Sequence, residues 1–518
     1  MSGPHRSLIE ALQDAALYDH PVESFRLIET HISWVLLTGQ YAYKIKKPVD
    51  LGFVDFSTLD KRRFYCEEEL RLNRRLAPSL YLGVIAITGS LRQPHLGGEG
   101  EPVEYAVKMA QFDTSLQFDR LLGSGRLTPD LLACFANGLA RFHASAARSG
   151  PQDGYGEPAA VLGPIRENFA QIHLPKDADA EVLHYLRQWS EQVYQKLSEA
   201  LARRKAGGFV RECHGDLHLG NIVLYDGHAT AFDCLEFNPD LRWIDVMNEV
   251  AFLAMDLDEH RRPELALRFL NEYLHHTGDY GGLTVLRFYQ VYRAMVRAKV
   301  ECIRADQRGG DEESIHALLD YLRLARSYTR AIPRALIVTH GLSGSGKTTI
   351  GTDLLSYCGA IRLRSDVERK RLAGLPPDAR THAAVGGDLY GRTAGERTYR
   401  RLAELATEVI GAGFPVMVDA TFLRHQQRED FRQLAARLRV PFLMLDFRAP
   451  EPQLVQRIRD RGKAGRDASE ADLAVLRYQQ ATQESLSAEE AATAIPIDTS
   501  IRPDIGPVVK LIRERMAV

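Results

Sequence analysis

Six cysteines are spread over the 518 residues, Cys66, Cys134, Cys213, Cys234, Cys302 and Cys358, and no two form a C-x-x-C pair. That spacing excludes a zinc framework and a secreted disulfide set; reduced, mostly buried thiols are expected. Charge of one sign is also missing, since 66 basic residues against 68 acidic give a formal net charge of −2. No global field therefore draws the chain to nucleic acid or to an anionic membrane. No stretch approaches the roughly 18 apolar residues that a bilayer span needs. Residues 1–12 hold no apolar run of the signal-peptide kind. A cytoplasmic protein without a membrane partner is the expectation. Internal repeats and long low-complexity segments are absent as well.

A hydrophobic share of 45% and a charged share of 26% are those of an ordinary globular protein. The length exceeds one core and predicts two to four domains. A helix over 8–16 opens the chain, and 25–109 is strand-rich. Residues 34–37 and 41–45 read as two strands joined by a Gly-containing loop at 38–40. A helix over 64–76 ends before Pro78, and strands follow at 82–88 and 103–109. Helical patterns cover 131–143, 180–204 and most of 244–330, while 150–164 reads as a Gly- and Pro-rich surface loop. Near 331–333 the pattern changes. Strands at 334–340, 361–364, 415–419 and 441–446 alternate with helices, the pattern of a parallel sheet with helical crossovers. The predicted divisions are a β-rich lobe with an N-terminal helix at 1–113, a helical lobe at 114–332 and an α/β domain at 333–518. The short boundary near Pro333 predicts domains in contact rather than on a tether.

Residues 214–221 read H-G-D-L-H-L-G-N, and Asp233 follows in an expected strand at 231–233. This spacing suits phosphoryl transfer, where the protein positions groups and neutralises charge. Asp216 can accept a proton from an alcohol, and Asn221 and Asp233 offer the hard oxygens that Mg2+ prefers. A turn that only joins two strands is the plainer alternative; the eight-residue pattern with a correctly spaced Asp argues against it.

The segment resembles the aminoglycoside phosphotransferase and choline kinase group of the protein-kinase-like fold, whose loop reads H-G-D-x-H-x-x-N. The resemblance covers about 25–330 and implies an α+β bilobal domain using ATP and Mg2+. It implies Asp216 as catalytic base and Asn221 and Asp233 as metal ligands. His214 and His218 are structural by the same likeness, Asp245 braces the catalytic loop, and 103–112 forms the adenine hinge. Glu236 is implied as a further ligand or a salt-bridge partner. The ATP-side lysine is Lys44, with Lys46 as runner-up, held by Glu69 in preference to Glu67 or Glu68. No G-x-G-x-x-G precedes Lys44, which argues against a protein kinase.

Residues 341–348 read G-L-S-G-S-G-K-T between an apolar strand and a helix, the context that a P-loop requires. Gly341, Ser343, Gly344, Ser345, Gly346 and Thr349 would cradle phosphates with backbone N–H groups at a helix N-terminus. Lys347 would reach the β- and γ-phosphates, and Thr348 the metal. Asp366 and Arg369 share a helical face, so a hydroxyl and an anionic group can be held together; simple capping by Ser365 or Asp366 is the plainer alternative. Asp419 ends a strand near the metal. Arg457 and Arg461 are i, i+4 neighbours suited to clamping phosphate, and Arg466 follows. This half resembles the P-loop kinase group of gluconate kinase, chloramphenicol phosphotransferase and the polynucleotide kinase 5′-domain. That likeness implies an α/β fold with a parallel sheet, Asp366 as base, Arg369 as substrate contact and a lid of arginines from 457 to 466. The fused arrangement resembles two-domain bacterial proteins joining these two kinds of domain.

The leading expectation is a bifunctional ATP-dependent kinase acting on small-molecule hydroxyls. The alternatives are a nucleotide-binding regulator with one active domain, a nucleic-acid 5′-end kinase, and an aminoglycoside resistance kinase using acids such as Asp256, Asp258 and Glu259. Near-neutral charge and the lack of an aromatic–basic stripe speak against nucleic acid. Acceptor identity and oligomeric state leave no mark in the sequence.

Overall fold

The structure, a computed structural model, describes residues 4–52, 54–174, 180–379, 381, 391–464 and 471–516, and of 461–464 the backbone alone. The chain divides into two compact units, Met1–Ala170 with Leu201–Asp256, and Gln171–Ala200 with Leu257–Val518.

In the first unit six antiparallel strands lie in the order Arg26–Glu29, Ser33–Leu37, Tyr41–Lys46, Pro102–Ala110, Tyr81–Gly89, Pro94–Leu96. Gly39, at φ 94, makes the turn at 38–40, a conformation that glycine adopts without a steric penalty. Alternation turns Leu36, Tyr43, Ile45, Ile87 and Ala106 toward Leu8, Ile9 and Leu12. Val107 packs with Cys66, Leu80 and Tyr81. The first helix is Pro4–Ala11, earlier than expected, because Asp14 caps a separate short turn at Ala15–Leu17. The next is Leu59–Asn73, starting where the Thr58 side chain accepts from Lys61 N. The two edge strands, Arg26–Glu29 and Pro94–Leu96, escaped the sequence reading because they are short and show no alternation of buried and exposed residues.

Beyond the sheet, the expected loop at 150–164 is cut short by the helix Pro158–Gln171. Pro158 opens this helix, where its missing N–H has no helical partner to lose, whereas Pro164 lies inside it. Two strand pairs frame residues 214–221: Val210–Glu212 with Trp243–Asp245, and Ile222–Tyr225 with His228–Ala231. Asp226 and Gly227, at φ 47 and 75, form the tight left-handed turn of the second pair.

The second unit holds a five-stranded parallel sheet in the order Ile361–Arg364, Val416–Asp419, Leu336–His340, Phe442–Arg448, Ile495–Asp498. Ile337, Met417, Leu443 and Leu445 fill its core with Leu354 and Ile512 from helices, as expected of a sheet covered on both faces. The fifth strand was not expected; Pro496 within it suits an edge position. At the opposite edge Asn271, on the helix Pro263–Thr277, pairs with strand backbone. Its Nδ2 donates to Ala360 O at 3.2 Å and its Oδ1 accepts from Arg362 N at 2.7 Å. All six cysteines are free, and five are buried.

Arg204 and Asp245 are buried and doubly paired, Nε to Oδ2 at 2.6 Å and Nη2 to Oδ1 at 2.8 Å. Arg204→Met leaves a carboxylate buried without its guanidinium. Chemical denaturation is expected to show a loss of about 3 kcal/mol, and an unchanged midpoint would contradict this. Asp258 behaves oppositely: burial lifts its pKa from 3.8 to about 6, although a 2.7 Å hydrogen bond from Tyr328 lowers it. The folded pKa exceeds the unfolded one, so the native state binds this proton more tightly and loses stability as pH rises through about 6. Asp258→Asn is therefore expected to raise the melting temperature at pH 7, a gain that shrinks toward pH 4.

Candidate active sites

Lys44 and Lys46 leave the same face of Tyr41–Lys46, two residues apart. Both reach Glu69 on Leu59–Asn73: Lys44 Nζ lies 2.8 Å from Oε1 and Lys46 Nζ 2.7 Å from Oε2. Beyond that they part. Lys44 meets Asp233 Oδ1 at 2.5 Å, and Lys46 pairs with Glu236. Lys46 and Glu69 are fully buried, whereas the Asp233 side chain is 45% exposed. Burial opposes the Glu69 charge, yet the ammonium groups of Lys44 and Lys46 overcome it and hold its pKa down. Burial likewise works against charged Lys44, and Asp233 and then Glu69 raise its pKa well above the usual lysine value. Glu67 pairs instead with Arg63, and Glu68 with Arg71 and Arg242. Glu236 is placed as a salt-bridge partner.

Asp233 lies two residues past the strand His228–Ala231 rather than in a strand as expected, because its φ of 63 is a left-handed conformation that breaks the extended backbone. Its N–H donates to the hydroxyl of buried Tyr81 at 3.1 Å, and Cys234 N donates to Asn73 Oδ1 at 2.9 Å. In the loop before it, Asn221 Nδ2 donates to Asp216 O at 3.0 Å and to Asp216 Oδ2 at 3.2 Å. His218 Nε2 lies 3.6 Å from that same Oδ2. Burial lowers the pKa of His214, whose Nε2 bonds to Phe232 O at 2.8 Å and whose Nδ1 accepts from Asp216 N at 3.3 Å.

Asp245 does not brace this loop as expected; it holds Arg204 and the N–H of Met247. Glu249 and Asp256 do that work, accepting from Gly215 N and Leu219 N at 2.8 Å each, and Glu249 also pairs with His143 at 2.8 Å. The available signal was two acids seven residues, or two turns, apart in the apolar helix Val246–Glu259. The acids considered for a polycation are thereby engaged: Asp256 with the loop, Asp258 with Tyr328 and Glu259 with His260.

In the second unit residues 341–348 join Leu336–His340 to the helix Lys347–Cys358. Gly341, Gly344 and Gly346 take φ 131, 83 and 86, and a Cβ on Gly344 would lie 2.8 Å from Leu454 O. Lys347 Nζ curls onto the carbonyls of Gly341 at 2.8 Å and Leu342 at 2.7 Å. Thr348 Oγ1 is 3.5 Å from Asp419 Oδ2. Arg362, which sequence reasoning missed, pairs with Asp419 and donates from Nη1 to Thr352 Oγ1 at 2.9 Å. Asp366 is met by Arg364 Nη2 at 2.8 Å. Burial opposes its charge, but Arg364, with Arg362 and Arg369, holds its pKa well below the carboxylate range.

A cavity of about 1310 Å³ is lined by Ser343, Gly344, Gly346, Lys347, Thr348 and Thr349, and by Asp366, Arg369, Asp419 and Arg457. Ser345 is buried behind the loop, its carbonyl accepting from Thr499 at 2.9 Å. Arg457 is drawn to the same place, donating to Thr499 Oγ1 at 3.0 Å and to Gly344 O at 3.3 Å. Of the other expected lid arginines, the Arg461 side chain and Arg466 lie outside the described residues.

The two lysines are separable by experiment. Lys44→Met is expected to cut transfer by the first unit at least ~10²-fold through loss of phosphate stabilisation. Lys46→Met leaves Glu236 and Glu69 with one ammonium fewer and is expected to cost about 3 kcal/mol of stability. The reverse assignment of these effects would make Lys46 the nucleotide lysine.

Residues 99–289 match the model of the phosphotransferase enzyme family, and 336–486 match that of an AAA domain. The uncharacterized protein Rv2004c of Mycobacterium tuberculosis is 32% identical over 467 residues, 89% of this chain and 92% of its own length. The uncharacterized protein Mb2027c of Mycobacterium bovis matches to the same extent. Among solved structures, an amicoumacin kinase complexed with AMP-PNP, Ca2+ and Ami is similar at 15% identity, covering 62% of this chain and 93% of its own, with a TM-score of 0.39. A gluconokinase from Sinorhizobium meliloti is similar at 20% identity, covering 36% and 94%, with a TM-score of 0.25. The chain belongs to the family of Rv2004c, pairs a phosphotransferase-family domain with a P-loop kinase domain, and is an ATP-dependent kinase.

Proposed function

We propose that the chain is a bifunctional phosphotransferase with one ATP and Mg2+ site in each unit. Each would pass a phosphoryl group to a hydroxyl of a small molecule, such as a sugar, an amino sugar or a related metabolite. The observation that carries this reading is the contact of Lys44 with both Glu69 and Asp233, beside the Asp216–Asn221 pair. Glu69 keeps Lys44 extended toward nucleotide phosphates. Asp216, 42% exposed, is open to an acceptor hydroxyl, which it orients and deprotonates. The Asn221 amide oxygen and the Asp233 carboxylate are donors that suit Mg2+, which offsets phosphate charge when bound. In the second unit the glycine-rich backbone and Lys347 receive phosphates, Thr348 and Asp419 are the metal-side oxygens, and Asp366 faces the acceptor.

A second reading has the P-loop unit bind nucleotide without turnover and regulate the first. One feature favours it: Asp419 and Asp366 are each tied to an arginine, Arg362 and Arg364. A carboxylate held that far down is a weak base, so Asp366 would act chiefly by orienting the hydroxyl.

ADP release against a panel of sugars, amino sugars, aminoglycosides, nucleosides and RNA 5′-ends tests both readings, using wild type, Asp216→Ala, Lys347→Ala and the double variant. Asp216→Ala is expected to lower transfer to the first unit's acceptor by ~10²-fold or more, and Lys347→Ala to silence transfer to a different acceptor. Loss of all turnover in Asp216→Ala alone would favour the regulatory reading. Undiminished turnover in the double variant would defeat both.

A further inference from the structure

Beside the segment 214–221, three side chains from three separate parts of the first unit converge. His143 belongs to the helix Pro129–Ser145, Cys213 follows the strand Val210–Glu212, and Glu249 belongs to the helix Val246–Glu259. All three are buried. A ring nitrogen, the thiol sulfur and a carboxylate oxygen, one from each, lie within 4.8 Å of one another. His143 Nε2 is 2.8 Å from Glu249 Oε2, while Glu249 Oε1 accepts from Gly215 N at 2.8 Å. The Cys213 thiol donates to Ile244 O at 3.6 Å.

The charge balance of this cluster differs from that of its neighbours. Glu249 is fully buried, and among the described residues its one ion-pair partner is His143. Nearby guanidinium groups meet other oxygens. Arg211 donates to the carbonyl of His143, and Arg75 meets the carbonyl of Cys213 and the carboxylate of Glu212. Other buried carboxylates of the same unit take arginine, as Asp245 takes Arg204 and Glu104 takes Arg62. A carboxylate withdrawn from water needs an opposite charge beside it. Here that charge is either an imidazolium or a cation held among the three groups. The thiol favours the second, because sulfur does nothing for an imidazolium, whereas thiolate, imidazole and carboxylate together are the ligands of zinc.

We propose that His143, Cys213 and Glu249 form a zinc site. Thiolate and imidazole select such an ion over Mg2+ and Ca2+, which take oxygen ligands. Zinc bonds of about 2.0–2.3 Å hold neighbouring ligand atoms roughly 3.3–3.7 Å apart. The contact between His143 and Glu249 therefore opens slightly as the ion enters between them. The zinc–sulfur bond forms as the thiol proton, given until then to Ile244 O, leaves for water. Thiolate and carboxylate then cancel the charge of the ion, and the buried cluster is neutral. A water takes the fourth position, as in zinc sites with three protein ligands. Glu249 Oε1 stays on Gly215 N, so the ion fixes the residue before Asp216 from two helices and a strand end. The site is independent of which unit transfers a phosphoryl group.

The full chain is stripped with a chelator, loaded with zinc chloride, dialysed and assayed for metal, with Cys213→Ala and Cys213→Ser beside wild type. Wild type is expected to retain about one zinc ion per chain and to melt about 5 °C or more above the stripped protein. Its X-ray absorption at the zinc edge is expected to show one sulfur neighbour at about 2.3 Å. Both variants are expected to lose the ion and the zinc-dependent shift, and to melt near stripped wild type. A wild-type chain that keeps no zinc, a bound ion without a sulfur neighbour, or zinc retained by folded variants overturns the site. The absorption spectrum is read on wild type, so it decides the matter where neither variant folds.

Discussion

Glu69 carries two ammonium groups at once, and through them joins the antiparallel sheet, the helix Leu59–Asn73 and the segment after residues 214–221. Five charges, those of Lys44, Lys46, Glu69, Asp233 and Glu236, are gathered there, and all but Asp233 are largely withdrawn from water. Each buried ion costs several kcal/mol of hydration, which only well-placed opposite charges offset. The network therefore has few stable arrangements. Its half-exposed corner, Lys44 with Asp233, is where nucleotide and metal chemistry is expected, while Lys46 and Glu236 anchor the arrangement from behind. The left-handed backbone of Asp233 fits this division, since hydrogen bonds from its own N–H to the Tyr81 hydroxyl and from Cys234 N to Asn73 Oδ1 hold a conformation the residue alone would avoid.

The second unit solves a related problem with backbone rather than buried side chains. Its glycines adopt left-handed conformations so that N–H groups can crowd a small volume, and the helix beginning at Lys347 adds the positive end of its dipole. Such a site is biased toward anions before any ligand arrives. Lys347 satisfies its charge on the carbonyls of Gly341 and Leu342, and Arg362 pairs with Asp419.

Much of this was legible in the sequence, because fixed spacings carried it. The strands holding Lys44 and Asp419, the helix with Glu69 and the loop of Asp216 and Asn221 all announced themselves through alternation, periodicity or motif. What escaped was long-range. Glu249 and Asp256 brace residues 215 and 219 from more than thirty positions away, and only their two-turn spacing on the helix Val246–Glu259 sets them apart from Asp245, which holds Arg204 instead. Arg362 reads as an ordinary strand residue until the neighbouring parallel strand brings Asp419 beside it. The short edge strands were invisible because half-exposed segments of three or four residues carry too little pattern to exceed turn statistics.

Asn271 falls inside the span matched to the phosphotransferase family, yet its amide completes the edge of the P-loop sheet. The unit of inheritance and the unit of folding therefore do not coincide. A fragment begun at the strand Leu336–His340 would keep every P-loop residue and lose the side chain that occupies Ala360 O and Arg362 N. Its outer strand would then offer bare backbone to any passing chain, the usual starting point for edge-to-edge association. In the whole chain the Asn271 amide occupies that edge, so the second unit closes its sheet with a residue that lies well before its first strand.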